Sequence, residues 1–526
     1  MKKHLVIIGA GIAGLTAATK LLNRGLEITV IDRCDVIGGL AKTIYPSKSF
    51  PVEHSIRVYH QDYFYLMSML KNIPDGEKKI IDNLIPLSVF VADNKNKSVE
   101  VQTSNHSFYS KLKCFMKTLS FFRDRKLSFS DYLLILKQQF LFSISRDRLF
   151  NKYAALTNGN FNKKASDNFK NTIFGLMQIP SAATDETSIL NIMELANMVT
   201  PFKNAFVLNG PTSDKLFDPW KKYLEQHNVN FMLGTEVIDI VFTNNKIDYF
   251  LSKNGNKIIA DAYVLAVPGF VAEKFLNKIQ SIPSTKKNIP LNYSFLGGVR
   301  FFLTDIPDNF KEMISGQHSK LTASIDTPWC LSYMVLGPPF WDSNTTTHEW
   351  KYMLHVDIAK TNINGSLYNK PFLECSKEEI IDEILHQINF NNKKLIIDSQ
   401  FDYGQDFVKN ADYLNKQDFS KLVYKQKTGD WIINANPYYC PVPDNFLNAP
   451  KTYTAMENLF LAGDFCETDM FVPTMEKAAE SAFRAAIGVA NHFNLQQIDM
   501  IFKDYNKKNN RWLRQLDHFF YHLFSK

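Results

Sequence analysis

His4-Leu-Val-Ile-Ile8 runs directly into Gly9-Ala10-Gly11-Ile12-Ala13-Gly14, and this stretch decides the fold. A short β-branched apolar run suits a strand buried in a parallel sheet. Behind the glycines, Ala17, Ala18, Leu21 and Leu22 recur at helical spacing, and Gly25 stands where a helix C-cap belongs. A second strand follows as Glu27-Ile-Thr-Val-Ile-Asp32. Together they predict one βαβ unit with the glycines at its strand-to-helix turn. There Gly9 permits the tight turn, Gly11 lets a pyrophosphate approach the backbone, and Gly14 lets the helix pack closely on the strand. The turn through Ala13 directs helix N-terminal N–H groups at anionic phosphates. Asp32, ending the second strand, is placed to accept from ribose hydroxyls. The loop predicts a dinucleotide without choosing between NAD and FAD.

Three further segments make that choice. After Asp32 comes Arg33-Cys-Asp-Val-Ile-Gly38-Gly39-Leu40-Ala-Lys42-Thr43. It resembles the second glycine doublet of the flavin amine oxidase and phytoene (carotenoid) desaturase superfamily, where the doublet touches the FAD diphosphate. Leu40 stands where that family often carries Arg, and Lys42 supplies a basic group two residues later. Near the other end, Glu457-Asn-Leu-Phe-Leu-Ala-Gly463-Asp464 is followed by an alanine-rich helix from Met475, with Thr474 as N-cap and Glu476 in its first turn. This is similar to the family's C-terminal FAD signature. The resemblance implies that Asp464 binds the ribityl chain and that the Met475 backbone faces the pyrimidine end of the flavin. Between these ends, Val229 to Ile240 and then Ala-Val-Pro268 also resemble the family, and Val237 takes the position that pairs with adenine. FAD is therefore the expected cofactor. No second GxGxxG loop suggests a separate NAD(P)H domain.

At 526 residues the chain is too long for one ordinary domain. The expected class is α/β: a Rossmann-like FAD-binding domain assembled from discontinuous segments, plus an α+β substrate domain. The FAD domain takes 1–85, 205–285 and 428–495, and the substrate domain takes 86–204 and 286–427. A basic, aromatic tail occupies 496–526. Net charge of +7 is modest for this length and does not call for nucleic acid. Six cysteines without CxxC or metal-ligand spacing favour a reducing cytoplasm and no metal. The apolar run after Lys3 is too short for a secretory signal. Two stretches mix cations with aromatics: Ser107 to Leu136, and Lys507 to Phe524. The first reads as amphipathic helices covering a substrate cavity. The tail is the better candidate for peripheral membrane contact.

Val52-Glu53-His54-Ser55-Ile-Arg57-Val-Tyr59 resembles a segment of the desaturase-like flavoproteins akin to hydroxysqualene dehydroxylase, with Ser55 in place of glycine. Residues 291–303 hold no Lys, whereas monoamine and polyamine oxidases typically carry one there. The resemblance therefore implies hydride removal from a C–H bond of a largely apolar small molecule, with isoprenoids among the candidates. His54, Arg57 and Tyr59 are the candidate catalytic groups. The alternative is an amine oxidase releasing hydrogen peroxide, for which Tyr438 or Tyr439 would supply an aromatic wall. An electron-passing subunit and redox-neutral mutase chemistry are more distant readings.

Overall fold

The computed structural model describes residues 2–498, apart from 47–49, 93–97, 105–106, 124–193, 195–197, 280–292, 295–296, 317, 325, 342–348, 403–404, 409–422, 426–430, 435–436 and 442–448. The C-terminal tail from Asp499 onward and the stretch from Asp124 to Leu136 thus lie outside the described residues.

The N-terminal unit forms as its sequence predicts, with β1 (Lys3–Ile8), α1 (Ile12–Leu21) and β2 (Leu26–Ile31). These two strands lie in a five-stranded sheet, where β2 also pairs with Val229–Met232 and β1 with Ala262–Leu265, which pairs in turn with Leu459–Leu461. Every pairing in it is parallel. The last four residues of both β1 and β2 are buried, which is why they read as continuous apolar runs rather than as alternations. One face of the sheet is covered by α1 and the long helix Met475–His492. Ala17 and Ala18 of α1 share a core with Ala479, Ala482, Ala485 and Ala486, whose small side chains let the two helices approach. The other face carries the three-stranded antiparallel sheet Val237–Thr243, Lys246–Ser252 and Lys257–Ile258.

A second sheet of nine strands is mixed. Its path runs through Ile396–Phe401, Gly297–Leu303, Tyr352–Ile358, Leu331–Leu336, Ser319–Ser324, Leu84–Ala92, Ala205–Leu208 and Tyr59–His60, and Ser98–Gln102 pairs with Leu84–Ala92. Only the pairing of Ser319–Ser324 with Leu84–Ala92 is parallel. All seven residues of Gly297–Leu303 are buried, as are all seven of Tyr352–Ile358. The α/β expectation is met. Among the described residues no helix is long and apolar enough to cross a membrane, and all six cysteines are free.

Candidate active site

The turn between β1 and α1 is held from both sides. Gly9 N–H donates to Ile31 O at 2.7 Å, and Asp32 Oδ2 accepts from Ala10 N at 2.7 Å. Asp32 Oδ1 accepts from Cys34 N at 2.8 Å, so each carboxylate oxygen keeps a lone pair for a hydroxyl donor. Gly14 is packed so tightly that a Cβ there would lie 1.8 Å from Gly9 O. This brings α1 against the loop, and its first amides, which have no intrahelical acceptors, point out of the turn.

The second doublet folds onto the first loop. Gly38 N–H donates to Ala10 O at 2.8 Å, and Gly38 and Gly39 both have positive φ, 115° and 58°. Arg57 straps this turn: its guanidinium donates to Leu40 O and, at 3.0 Å, to Ser55 Oγ. Lys42 Nζ donates to Cys34 Sγ at 3.2 Å. Thr43 faces away from these groups, into a knot with Glu53 and Ser213.

At the C-terminal signature, Thr474 caps its helix by accepting from Lys477 N at 3.2 Å. Glu476 does more than favour its own helix dipole. Its two oxygens accept from Tyr65 N at 2.7 Å and Leu66 N at 2.9 Å, capping the helix Phe64–Leu70. Glu480 accepts from the amides of Asp469 and Met470, and Glu194 from those of Phe471 and Val472. Four consecutive amides before the Met475 helix are thereby fixed by two buried carboxylates. Burial pushes the Asp464 carboxyl up, and the ammonium of buried Lys477 draws it back.

These three segments converge on one cavity of about 1280 Å³. That exceeds the ~300–1,000 Å³ of ordinary small-ligand pockets, leaving space for a dinucleotide and a substrate. Of the residues singled out in the sequence, Gly9, Gly11, Ala13, Asp32, Arg33, Gly38, Gly39, Leu40, Lys42, Val237, Gly463, Asp464, Met475, His54 and Arg57 all line it. Gly14 and Thr43 lie behind the wall. Tyr59 does not reach it: it is fully buried in the core, on a two-residue strand whose next residue, His60, is on the wall. Tyr63, Met198, Val199 and Leu321 are wall residues that the sequence did not single out.

The residues fit an FAD. The glycine turns leave bare backbone and helix amides for a diphosphate, Asp32 retains acceptor capacity for a ribose, and the part-buried Asp464 lines the same cavity as the Met475 helix start.

Behind His54 lies a buried ionic cluster. His54 Nδ1 is 3.4 Å from Asp402 Oδ2, Arg300 pairs with Asp402, and His355 Nε2 is 3.0 Å from Asp357 Oδ1. Asp357 Oδ2 also accepts from Ile56 N at 2.9 Å. His355, Asp357 and Asp402 could by spacing hold a metal ion, but the Arg300 guanidinium already supplies the cation. Burial, with Arg57 and Arg300 nearby, pushes His54 down to about 4. Burial alone does most of the same to His60, also to about 4. Unfolded histidine titrates near ~6.5. Between those values the unfolded chain binds more protons, so stability should rise with pH through that window and be lost as pH falls from about 6.5 towards 4. Unfolding midpoints measured across this range should fall on acidification, and His60→Gln should flatten the slope. A flat wild-type profile would contradict the buried neutral state.

A family model described as flavin containing amine oxidoreductase matches residues 12–490. A phytoene dehydrogenase of Streptomyces griseus is 55% identical over 38 residues, 7% of this chain, and the match spans 8% of that relative. Among solved structures, an oxidoreductase from Methanosarcina mazei aligns with a TM-score of 0.52 at 15% identity, over 91% of this chain and 98% of that one. A putrescine oxidase bound to putrescine gives 0.55 at 13% identity, over 94% and 99%. At these identities the structures speak for the fold alone.

Proposed function

This chain belongs to the flavin containing amine oxidoreductase family and is an FAD-dependent oxidoreductase, and we propose that it dehydrogenates a largely apolar substrate at a C–H bond. One observation carries the reading. A stretch of the cavity wall is built from Ile56, Val58, Val89, Met198, Val199 and Leu321, with no charged side chain in the set. Val89 and Leu321 are register partners on adjacent strands, so this wall is part of the second sheet itself. Such a wall favours apolar surface and offers a cationic amine no carboxylate of its own, the carboxylates of the lining (Asp32, Glu236, Glu273 and Asp464) lying on other segments. The short likeness to a phytoene dehydrogenase points to the same class of substrate.

The bound flavin supplies the hydride acceptor. The chain's own groups would handle the proton. As the hydride leaves one carbon, the electrons of an adjacent C–H bond form the new double bond, and that hydrogen departs as a proton. His54 stands on the wall, neutral because burial depresses its pKa, and can take it. Asp402, on the Nδ1 side, would offset the resulting charge. Arg57 holds the Leu40 turn in place, a positioning role.

Amine oxidation is the second reading, favoured by Tyr63 and Tyr438, which both line the cavity. Anaerobic mixing of holoenzyme with prenyl lipids and with amines separates the two. Prenyl substrates should bleach the flavin, and His54→Gln should slow bleaching by roughly 10²–10⁴, the usual contribution of a positioned base. Bleaching by amines alone, with peroxide on admitting air, would establish the second reading instead.

A further inference from the structure

The helix Phe108–Arg123 is amphipathic the wrong way round for a globular protein. It lies on the strand Ser98–Gln102 through a small polar face, where Cys114 Sγ and Thr118 Oγ1 both donate to Glu100 O. From Phe108 to Thr118 its apolar side chains point outward. Phe108 is 72% exposed, Tyr109 73%, Met116 58% and Leu112 42%, and Phe115 is exposed beside Phe202, with ring centroids 5.9 Å apart. An ordinary surface helix does the opposite and buries its apolar stripe. Lys113 and Lys117 flank the outward stripe, both exposed. Between Glu100 and Asp124 the sequence contains no acidic residue at all.

We propose that this face is a docking surface for an anionic lipid bilayer, with Phe108, Tyr109, Leu112, Phe115 and Met116 entering the interface and the lysines meeting the headgroups. Aromatic and aliphatic side chains rimmed by lysine, without acids, match such a surface in both polarity and charge. A protein partner fits less well, because lysine is depleted at protein interfaces. The position also connects the patch to the active-site cavity. Gln102, at the end of the supporting strand, donates to the carbonyls of Met198 and Lys203. That segment carries Phe202 on the outside and Met198 and Val199 on the cavity wall. Docking would therefore set the apolar wall next to the bilayer from which an apolar substrate comes. This last step rests on the function proposed above, whereas the docking itself does not.

Flotation of the holoenzyme with phosphatidylcholine vesicles, with and without phosphatidylglycerol, tests the proposal. The enzyme should float with the anionic vesicles and be released by salt. The fourfold exposed variant Phe108→Ser, Tyr109→Ser, Leu112→Ser, Met116→Ser should lose flotation while keeping its flavin. Lys113→Glu with Lys117→Glu should weaken binding by an order of magnitude or more, at roughly fivefold for each lysine removed. Equal flotation of wild type and variants would overturn the proposal and assign membrane contact to residues 499–526. No flotation of wild type would also overturn it. Self-association abolished by the fourfold variant would reassign the face to a second copy. Bleaching by detergent-dispersed prenyl lipid is read separately, so failure of docking and failure of the proposed chemistry are distinguishable.

Discussion

Arg300→Met should destabilise the protein by about 3–5 kcal/mol, the range for removing one partner of a buried ion pair. Arg300 is fully buried on the seven-residue strand Gly297–Leu303, and Asp402 and Asp357 are fully buried near it. Burial lowers the guanidinium to about 10, with the carboxylates of Asp357 and Glu53 opposing. It therefore stays charged at neutral pH. Methionine keeps the unbranched stem but leaves two carboxylates without their cation. The cost comes from that desolvated negative charge rather than from lost packing. Arg300→Met combined with Asp402→Asn should then recover part of the loss, a coupling that a simple cavity would not show. Lys393→Ala gives the contrast, because its pair with Asp382 has a lysine side chain 62% exposed, and exposed pairs contribute about 0–1 kcal/mol. Denaturant unfolding monitored by tryptophan fluorescence measures all three. A loss for Arg300→Met no larger than for Lys393→Ala would show that the cluster contributes nothing as an ionic unit.

That cluster also marks where the sequence stops being readable. The FAD segments are legible because each is local: strand, glycine turn and helix follow one another within thirty or so residues of a βαβ unit. Gly9 to Asp32 and Gly463 to Met475 accordingly arrive at one cavity. The Arg300 set is assembled from strands far apart in the chain, and nothing in a single sequence pairs Arg300 with Asp402. One signal was present, an arginine inside the apolar run Gly-Gly-Val-Arg-Phe-Phe-Leu. A charge there has to find a partner if the strand is buried. Glu194, Glu476 and Glu480 are similar: their carboxylates accept from backbone amides of other segments, which leave no trace in residue type. Tyr59 fails on parity, since a two-residue strand carries no periodicity from which to tell which side faces the cavity. The Phe108–Arg123 helix shows the limit of amphipathicity: the sequence predicts two faces, and only the structure shows that the polar one is packed.

Gly14→Ala should abolish tight flavin binding, lowering affinity at least a hundredfold. The added Cβ would lie 1.8 Å from Gly9 O and 3.0 Å from Gly9 C, both backbone atoms that no rotamer change can move. Relief requires either α1 or the loop to retreat by more than an ångström. The loop is the less free of the two, because Gly9 N is bonded to Ile31 O and Ala10 N to Asp32. The helix is also pinned, since its alanines share a core with Met475–His492. Whichever moves, the N-terminal amides of α1 and the carbonyl and amide groups of the turn lose their common geometry toward a diphosphate. Charge-assisted hydrogen bonds contribute about 1.5–3 kcal/mol each, so losing two is enough for the stated factor. Gly25→Ala is the control. Gly25 has φ +74° but nothing within 4 Å of its Cβ position. An alanine there costs roughly 1–2 kcal/mol of backbone strain without touching the turn. It should lower the unfolding midpoint and leave FAD affinity unchanged, measured by titrating apoprotein with FAD and following fluorescence quenching. If Gly14→Ala and Gly25→Ala bind FAD equally well, the close approach of α1 to the loop is not what forms the phosphate site.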